Sequence, residues 1–283
     1  VYNRAETRVG GVALPQVGGL QVVGRVVRLG PDVDPALQGR KVMALMPKGA
    51  YARQALARAD MLVTLGDDAD DIAMASLPCQ GVTAFLALRV CAALRPGESV
   101  LVQGAAGGVG SLAVQIAKAL GAGTVIGTAS SEERRAFVRN LGADHAIAYD
   151  GPEWPQFVLE HTGGRGVDVI IESIGGEVFQ QNFECLARFG RCVILGSTRG
   201  SGAPLEPRRL MAKAQSLTGI YLPTFFHRPD LIQRGLRFLT SGIASGTIKA
   251  NVAAVLPLSR TADAHRLLER REVQGVVVLD PRA

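Results

Sequence analysis

Aromatic side chains are scarce in this chain of 283 residues, only 5% of the total with a single tryptophan, and cysteine occurs just four times. Nucleic-acid grooves combine clustered cations with stacking aromatics. Here lysine and arginine are scattered, with only short pairs at Arg134-Arg135, Arg208-Arg209 and Arg270-Arg271, so the formal charge of +6 reads as solvated surface and no nucleic-acid partner is expected. Cys79, Cys91, Cys185 and Cys192 supply neither a C-x-x-C pair nor the density of a secreted disulfide scaffold, which points to a reducing cytoplasm. No continuous apolar run reaches the ~18 residues that cross a bilayer, so no membrane partner is expected. No signal peptide is read at Val1, and because that residue is not a methionine, processing or truncation at the start is expected as one explanation. Internal repeats and low-complexity segments are missing as well. What remains is the profile of a globular protein long enough for two modest domains with cores of their own.

The most informative stretch is Ser99 to Lys118, SVLVQGAAGGVGSLAVQIAK. Val100-Leu101-Val102 is the short apolar run that a buried parallel strand needs, and it breaks at Gly104, Gly107 and Gly110. A helical pattern follows, with Val109, Leu112, Ala113, Ile116, Ala117 and Leu120 at spacings of three and four, and Gly121 is placed to end it in a left-handed cap. Thr124–Thr128 then completes a βαβ unit. In such a turn the glycines let the main chain approach a pyrophosphate, which sits on the N–H groups and positive dipole end of the next helix. The spacing G-x-x-G-x-x-G is one residue longer than usual between its first two glycines, so the order of elements carries the inference. The competing interpretation is a glycine turn that binds nothing.

Before this stretch, Gln21–Gly30, Lys41–Leu45 and Gly49–Gln54 are short β-rich runs between Gly, Pro and Asp turns, and predict a small β-barrel-like domain. Ala69–Ala75 and Gly81–Cys91 read as helices. From Ser99 the strands Val100–Gln103, Thr124–Thr128, His145–Ala148, Val167–Glu172, Arg191–Leu195 and Leu217–Tyr221 alternate with helices Gly108–Leu120, Glu132–Leu141, Trp154–His161 and Val178–Phe189. That alternation predicts an α/β doubly wound parallel sheet. An amphipathic helix over Asp230–Ser241 precedes short strands at Val252–Leu256 and Val276–Leu279, which flank a helix over Thr261–Arg270. These read as a return to the first domain, giving a catalytic domain over 1–82 and 244–283 with a dinucleotide-binding domain over 83–243 inserted between its two parts.

The chain resembles the zinc-independent branch of the medium-chain dehydrogenase/reductases, the NADPH:quinone oxidoreductases and their enoyl-reductase relatives. The resemblance rests on Asn3-Arg4-Ala5, Leu77-Pro78-Cys79 leading to Thr83-Ala84, the turn Gly104 to Gly110, Leu141-Gly142-Ala143-Asp144, Gly166-Val167-Asp168-Val169, and Gly190-Arg191 through Leu195-Gly196-Ser197. It implies a Rossmann domain inserted into a GroES-like, β-rich catalytic domain whose first strands, which precede the position of Asn3 in the family, lie outside this chain. It further implies that Asn3 and Thr83 orient substrate and nicotinamide, that Gly196 and Ser197 line the cofactor, and that two copies pair through the sixth Rossmann strand.

Cofactor choice is decided where the second strand of the unit ends, at the place where an NAD enzyme puts a carboxylate on the ribose 2′-hydroxyl. Here that segment reads Thr128-Ala129-Ser130-Ser131-Glu132-Glu133-Arg134-Arg135. Ser130 and Ser131 can donate to a 2′-phosphate and Arg134 or Arg135 can neutralise it, so NADPH is the expected cofactor. The backbone of Gly104, Ala106, Gly107, Gly108, Val109 and Gly110 is expected to cradle its pyrophosphate. The serines also suit a helix N-cap and the arginines a solvated face, roles compatible with phosphate binding. Tyr149 is expected either beside the adenosine or as a rim residue. No metal is expected, because Pro15–Gln21 offers neither His nor Glu and Cys79 has no partner nearby, and Cys79 itself reads as a small core residue. The four histidines have packing or surface explanations. The function expected is hydride transfer to a quinone or an α,β-unsaturated carbonyl or thioester, including enoyl thioesters of fatty-acid or polyketide type. The alternative is a dinucleotide-bound module that binds RNA or protein without turnover.

Overall fold

The computed structural model describes residues 15–200, 203–270 and 273–283. These fall into two compact units: one containing the described residues up to Val82 together with Leu222–Ala283, the other Thr83–Tyr221.

In the first unit, β1 (Gln21–Arg25), β2 (Lys41–Leu45) and β3 (Leu62–Thr64) form an antiparallel sheet with β2 in the middle. Burial of all five β2 residues follows from that central place, Lys41 included. The Lys41 ammonium is accommodated because it donates to the carbonyls of Asp67 and Ala69, both at 2.8 Å, and pairs with Asp71 at 3.1 Å. Asp70 caps α1 (Asp71–Ala75) by accepting the N–H groups of Ile72 and Ala73. The run Gly49–Gln54 differs from expectation and is not a strand. Gly19 and Gly49 both sit at φ +90, which breaks the pleat, and Gly49 and Tyr51 instead donate singly to the carbonyls of Val17 and Gly18. Further on, α2 (Pro78–Phe85) continues into a wider turn over Leu86–Cys91, closed by the Ala92 N–H on the Ala87 carbonyl.

The second unit is a six-stranded, all-parallel sheet. In chain order it comprises β4 (Ser99–Val102), α3 (Gly108–Ala119), β5 (Thr124–Thr128), α4 (Glu132–Asn140), β6 (His145–Ile147), α5 (Trp154–Glu160), β7 (Val167–Glu172), α6 (Gly176–Cys185), β8 (Leu186–Ile194), α7 (Pro207–Met211) and β9 (Ser216–Gly219). The strand order β6-β5-β4-β7-β8-β9 is that of the doubly wound Rossmann fold, with β9 at one edge and the topological switch between β4 and β7. Such strands are covered on both faces, which is why they read as continuous apolar runs. Leu101, Ile126 and Ile170 are fully buried in a core shared with Trp154, Val158, Val178 and Phe183.

One boundary in this unit differs from the sequence reading. The helix expected over Val178–Phe189 ends at Cys185, and Leu186 is already extended and paired with Val167. Gly190 packs so tightly on Leu186 that a Cβ there would approach its Cδ1 to 2.6 Å, and Phe189 turns through φ +59 to bring the chain round. Close packing of backbone on a leucine side chain thus overrides the helical pattern.

The amino-terminal ends of the strands are tied by charge. Arg191 of β8 grips Glu98 with Nη1 at 3.0 Å from Oε1 and Nη2 on Oε2. Asp168 of β7 accepts from the Ser99 N–H and hydroxyl at 2.8 Å each, and from both Nη atoms of Arg165. Partial burial works to raise the Asp168 carboxyl, but Arg165 and Ser99 outweigh it and hold the pKa down at about 2. The ordinary value is near 3.9, so the bonus of about 1–2 kcal/mol is present at neutral pH and fades as pH falls from about 4 towards 2. Chemical denaturation of the unmodified protein and Asp168→Asn should therefore differ at pH 7 and converge on acidification. A constant difference across that range would contradict the assignment.

The chain then returns to the first unit earlier than expected. Helix α8 (Pro229–Ser245), read from sequence as the close of the dinucleotide domain, belongs with the first unit. Its apolar stripe, Leu231, Ile232, Leu236 and Leu239, is buried there. Leu239 lies so close to Gly81 that a Cβ would meet both its methyls at 2.7 Å, and Gln233 donates to the Asp60 carbonyl at 3.2 Å. The unit is completed by β10 (Val252–Pro257), α9 (Thr261–Glu269) and β11 (Val276–Asp280), with β10 and β11 paired in parallel.

Candidate functional site

Ligands of open α/β sheets bind beyond the carboxyl ends of the strands at the switch point. At that place Gln103 leaves β4, Gly104 turns through φ +65, and Gly107 stands at the N-cap of α3 with no side-chain cap. The leading N–H groups of α3 therefore face outward with the positive end of the helix dipole, the arrangement that receives a phosphate. The third glycine is required by space, because a Cβ at Gly110 would lie 2.3 Å from the Gly104 carbonyl oxygen. Bonds from Ala105 N–H to the Thr128 carbonyl at 2.8 Å and from Gly107 N–H to the Gly104 carbonyl at 3.0 Å fix the turn. Ala106 is buried inside it, Gly107 is exposed, and Gly108 and Val109 are half-buried on the first helical turn. A pyrophosphate fits this cradle, since among the described residues no side chain caps the helix end.

Past β5, Ser130 and Ser131 are exposed, and Ser131 caps α4 by accepting the Arg134 N–H at 3.3 Å. Its hydroxyl proton stays available to a second acceptor. The two arginines differ. Arg135 is drawn onto Glu132 at 2.9 Å and the Ala129 carbonyl at 3.4 Å, while Arg134 is half-buried on the first turn of the same helix.

Tyr149 is 7% exposed and joins the core with Ile147 and Trp154, so the structure places it inside rather than on the rim. Arg199 covers its ring at 4.8 Å and pairs with Asp150 at 2.7 Å. Gly196 and Ser197 follow β8 in a loop laid against the turn after β7. Arg199 N–H donates to the Ile174 carbonyl at 2.7 Å, Gly176 N–H donates to the Gly200 carbonyl at 3.0 Å, and the Ser197 hydroxyl also bonds Gly200. Gly175 (φ +77) permits this contact, as a Cβ there would lie 2.5 Å from the Gly200 oxygen. Thr83 is half-buried on α2, and Asn3 lies outside the described residues.

Among the described residues no group of three or more His, Cys, Asp or Glu side chains could hold a metal ion. In the segment Pro15–Gln21, the Gln21 side chain ties secondary structure together, donating to the Ala75 carbonyl and accepting the Cys79 N–H, both at 2.6 Å. Burial pushes the Cys79 thiol up to about 11, which keeps it a neutral thiol at neutral pH. The sequence reading passed over Gln103, Thr128, Glu172 and Asn182, all buried beneath the cradle. The available signal was a polar residue closing each of three apolar strand runs.

A family model described as zinc-binding dehydrogenase matches residues 108–241. The chain is 34% identical over 275 residues to a 2-haloacrylate reductase of Burkholderia sp, covering 95% of this chain and 82% of that protein. It is 33% identical over 282 residues to the quinone oxidoreductase of Sus scrofa, covering 98% and 84%. Its fold superposes on the crystal structure of Escherichia coli quinone oxidoreductase complexed with NADPH with a TM-score of 0.87 at 31% identity, covering 95% of this chain and 83% of that one. With these relatives, the glycine cradle and the strand order, the chain belongs to the medium-chain dehydrogenase/reductases, in the quinone oxidoreductase-like branch.

Proposed function

We propose that this protein is an NADPH-dependent oxidoreductase that reduces a quinone or an α,β-unsaturated carbonyl compound without zinc. The observation that carries the reading is the uncapped N-terminus of α3 behind Gly104–Gly110, joined by a β5 end that presents Ser130 and Ser131 where an NAD enzyme carries an acid. When bound, the reduced nicotinamide supplies a hydride to the acceptor, and a proton from solvent completes the reduction. The chain's own residues bind and orient. Backbone N–H groups of the cradle receive the pyrophosphate, Ser131 and Arg134 the 2′-phosphate, Gly196 and Ser197 border the nicotinamide half, and Thr83 orients the nicotinamide. The relatives named for quinone and 2-haloacrylate reduction support this acceptor class, and a reducing cytoplasmic setting suits four free cysteines. Zinc is left out because Pro15–Gln21 lacks His, Cys and carboxylate ligands. NADPH oxidation measured with a panel of quinones, unsaturated acids and enoyl thioesters tests the proposal, and no consumption with any of them overturns it.

Replacing Arg134 and Arg135 by alanine should raise KM for NADPH by about 5–150-fold, the loss of a charge-assisted phosphate contact worth about 1–3 kcal/mol, with little change for NADH. Equal affinity of the unmodified protein for the two cofactors would remove the basis for this selectivity.

The reading includes a homodimer formed through β9, an edge strand beside which a Cβ on Gly219 would meet open space. Ile220 N–H is engaged by the Ile194 carbonyl at 2.9 Å, so by strand alternation Leu217 and Gly219 turn their N–H groups outward. Gly219→Pro should then sediment as a monomer where the unmodified protein sediments as a dimer. A monomeric unmodified protein rejects this assembly.

A further inference from the structure

Four polar side chains lie at the floor of the cradle with almost no access to water: Gln103 is 1% exposed, and Thr128, Glu172 and Asn182 are 0%. They form one continuous chain of hydrogen bonds. Asn182 Nδ2 donates to Glu172 Oε2, Gln103 Nε2 donates to Asn182 Oδ1 at 2.8 Å, and Thr128 Oγ1 donates to Gln103 Oε1 at 2.7 Å. The last link is backbone, the Gly104 N–H donating to Thr128 Oγ1 at 3.1 Å. At the other end Glu172 Oε1 accepts the N–H groups of Ile174 and Gly175.

The carboxylate sets the direction of every link. Burial pushes the Glu172 carboxyl up, but N–H groups of Ile174, Gly175 and Asn182 converge on its two oxygens and favour the carboxylate, which only accepts, so Asn182 presents its amide nitrogen to Glu172 and its oxygen to Gln103. Gln103 must then present nitrogen to Asn182 and oxygen to Thr128. That obliges the threonine hydroxyl to donate to Gln103 and leaves its lone pairs for Gly104. Chains aligned in one sense polarise each link in turn. The chain also joins the turn after β4 to the turn after β7, the two sides of the switch point.

We infer that Glu172 is a positioning residue for the cofactor pyrophosphate, acting through Asn182, Gln103 and Thr128 to fix the glycine turn at Gly104. The inference rests on the NADPH reading above and adds residues that do not touch the cofactor. Glu172→Gln keeps the shape but brings two amide donors face to face. Relieving that clash turns Asn182 and then Gln103 around, which leaves the Thr128 hydroxyl without its acceptor. Adding Gln103→Glu places the carboxylate at the opposite end of the amide pair and satisfies every group again, with Thr128 donating as before.

The test is calorimetric titration of NADPH and of 2′-AMP, a fragment that reaches the Ser131 and Arg134 end but lacks a pyrophosphate. Glu172→Gln should raise Kd for NADPH about tenfold and leave Kd for 2′-AMP unchanged, and Glu172→Gln with Gln103→Glu should restore NADPH affinity. Thr128→Val, which removes the link to Gly104 with almost no change of volume, should reproduce the single-variant loss and serves if Glu172→Gln does not fold. Unchanged NADPH affinity in the folded variants, a parallel loss of NADPH and 2′-AMP, or no recovery in the double variant overturns the inference. Failure of the unmodified protein to bind NADPH overturns the cofactor reading itself, and that control separates the two.

Discussion

Gly110→Ala should abolish tight NADPH binding, raising Kd by about a hundredfold. The added methyl would lie 2.3 Å from the Gly104 carbonyl oxygen and 2.8 Å from the Cα of Ala105, both backbone atoms of the turn that receives the pyrophosphate. Neither can swing aside as the end of a side chain would, so the turn and the first turn of α3 must part. Overpacking of this kind costs about 1–3 kcal/mol, here taken from the N–H groups that contact the ligand. Calorimetric titration reads the affinity and thermal unfolding reads the fold. Retained affinity would show that the pyrophosphate is not held by this turn.

Ile170→Ala is the substitution expected to cost most stability, about 2–5 kcal/mol. Ile170 is 0% exposed on β7, paired with Leu101 of β4 on one side and Cys192 of β8 on the other. Interiors this close-packed cannot collapse around the missing atoms from both sides at once. Leu268→Ala, on a side chain 39% exposed, is the matched control and should stay within about 0.5 kcal/mol. Urea unfolding of the two variants decides, and similar losses at both positions would show that the sheet core is not where stability is concentrated.

The alternation of strands and helices was legible because the buried middles of parallel strands covered on both faces must be apolar, as Val100–Val102 and Val169–Ile171 are. The glycine turn was legible for a related reason, since it works through backbone and needs only small residues in a fixed order. Positions that depend on distant neighbours were not. Nothing within the Val178–Phe189 pattern announces that Gly190 closes onto Leu186, and nothing in α8 itself says that its stripe packs on Gly81 rather than on the parallel sheet. The cover over Tyr149 was hidden for the same reason, since Arg199 lies 50 positions on. The buried polar chain was hidden most deeply. Gln103 and Asn182 are 79 positions apart and Gln103 and Thr128 are 25 apart, so no local pattern links them.

The two ends of the parallel sheet are fastened by different chemistry, and electrolyte should tell them apart. At the amino-terminal ends the fastenings are ion pairs, Arg191 on Glu98 and Arg165 on Asp168, and the Arg165 side chain is 56% exposed. At the carboxyl ends the links between Thr128, Gln103 and Asn182 are neutral and sealed from water. Mobile ions shorten the reach of exposed charges to about 3 Å at molar concentration and scarcely touch buried dipoles. A rise in ionic strength therefore loosens the base of the sheet while its ligand-facing rim keeps its shape, so the geometry that receives the cofactor is buffered against the salt around it.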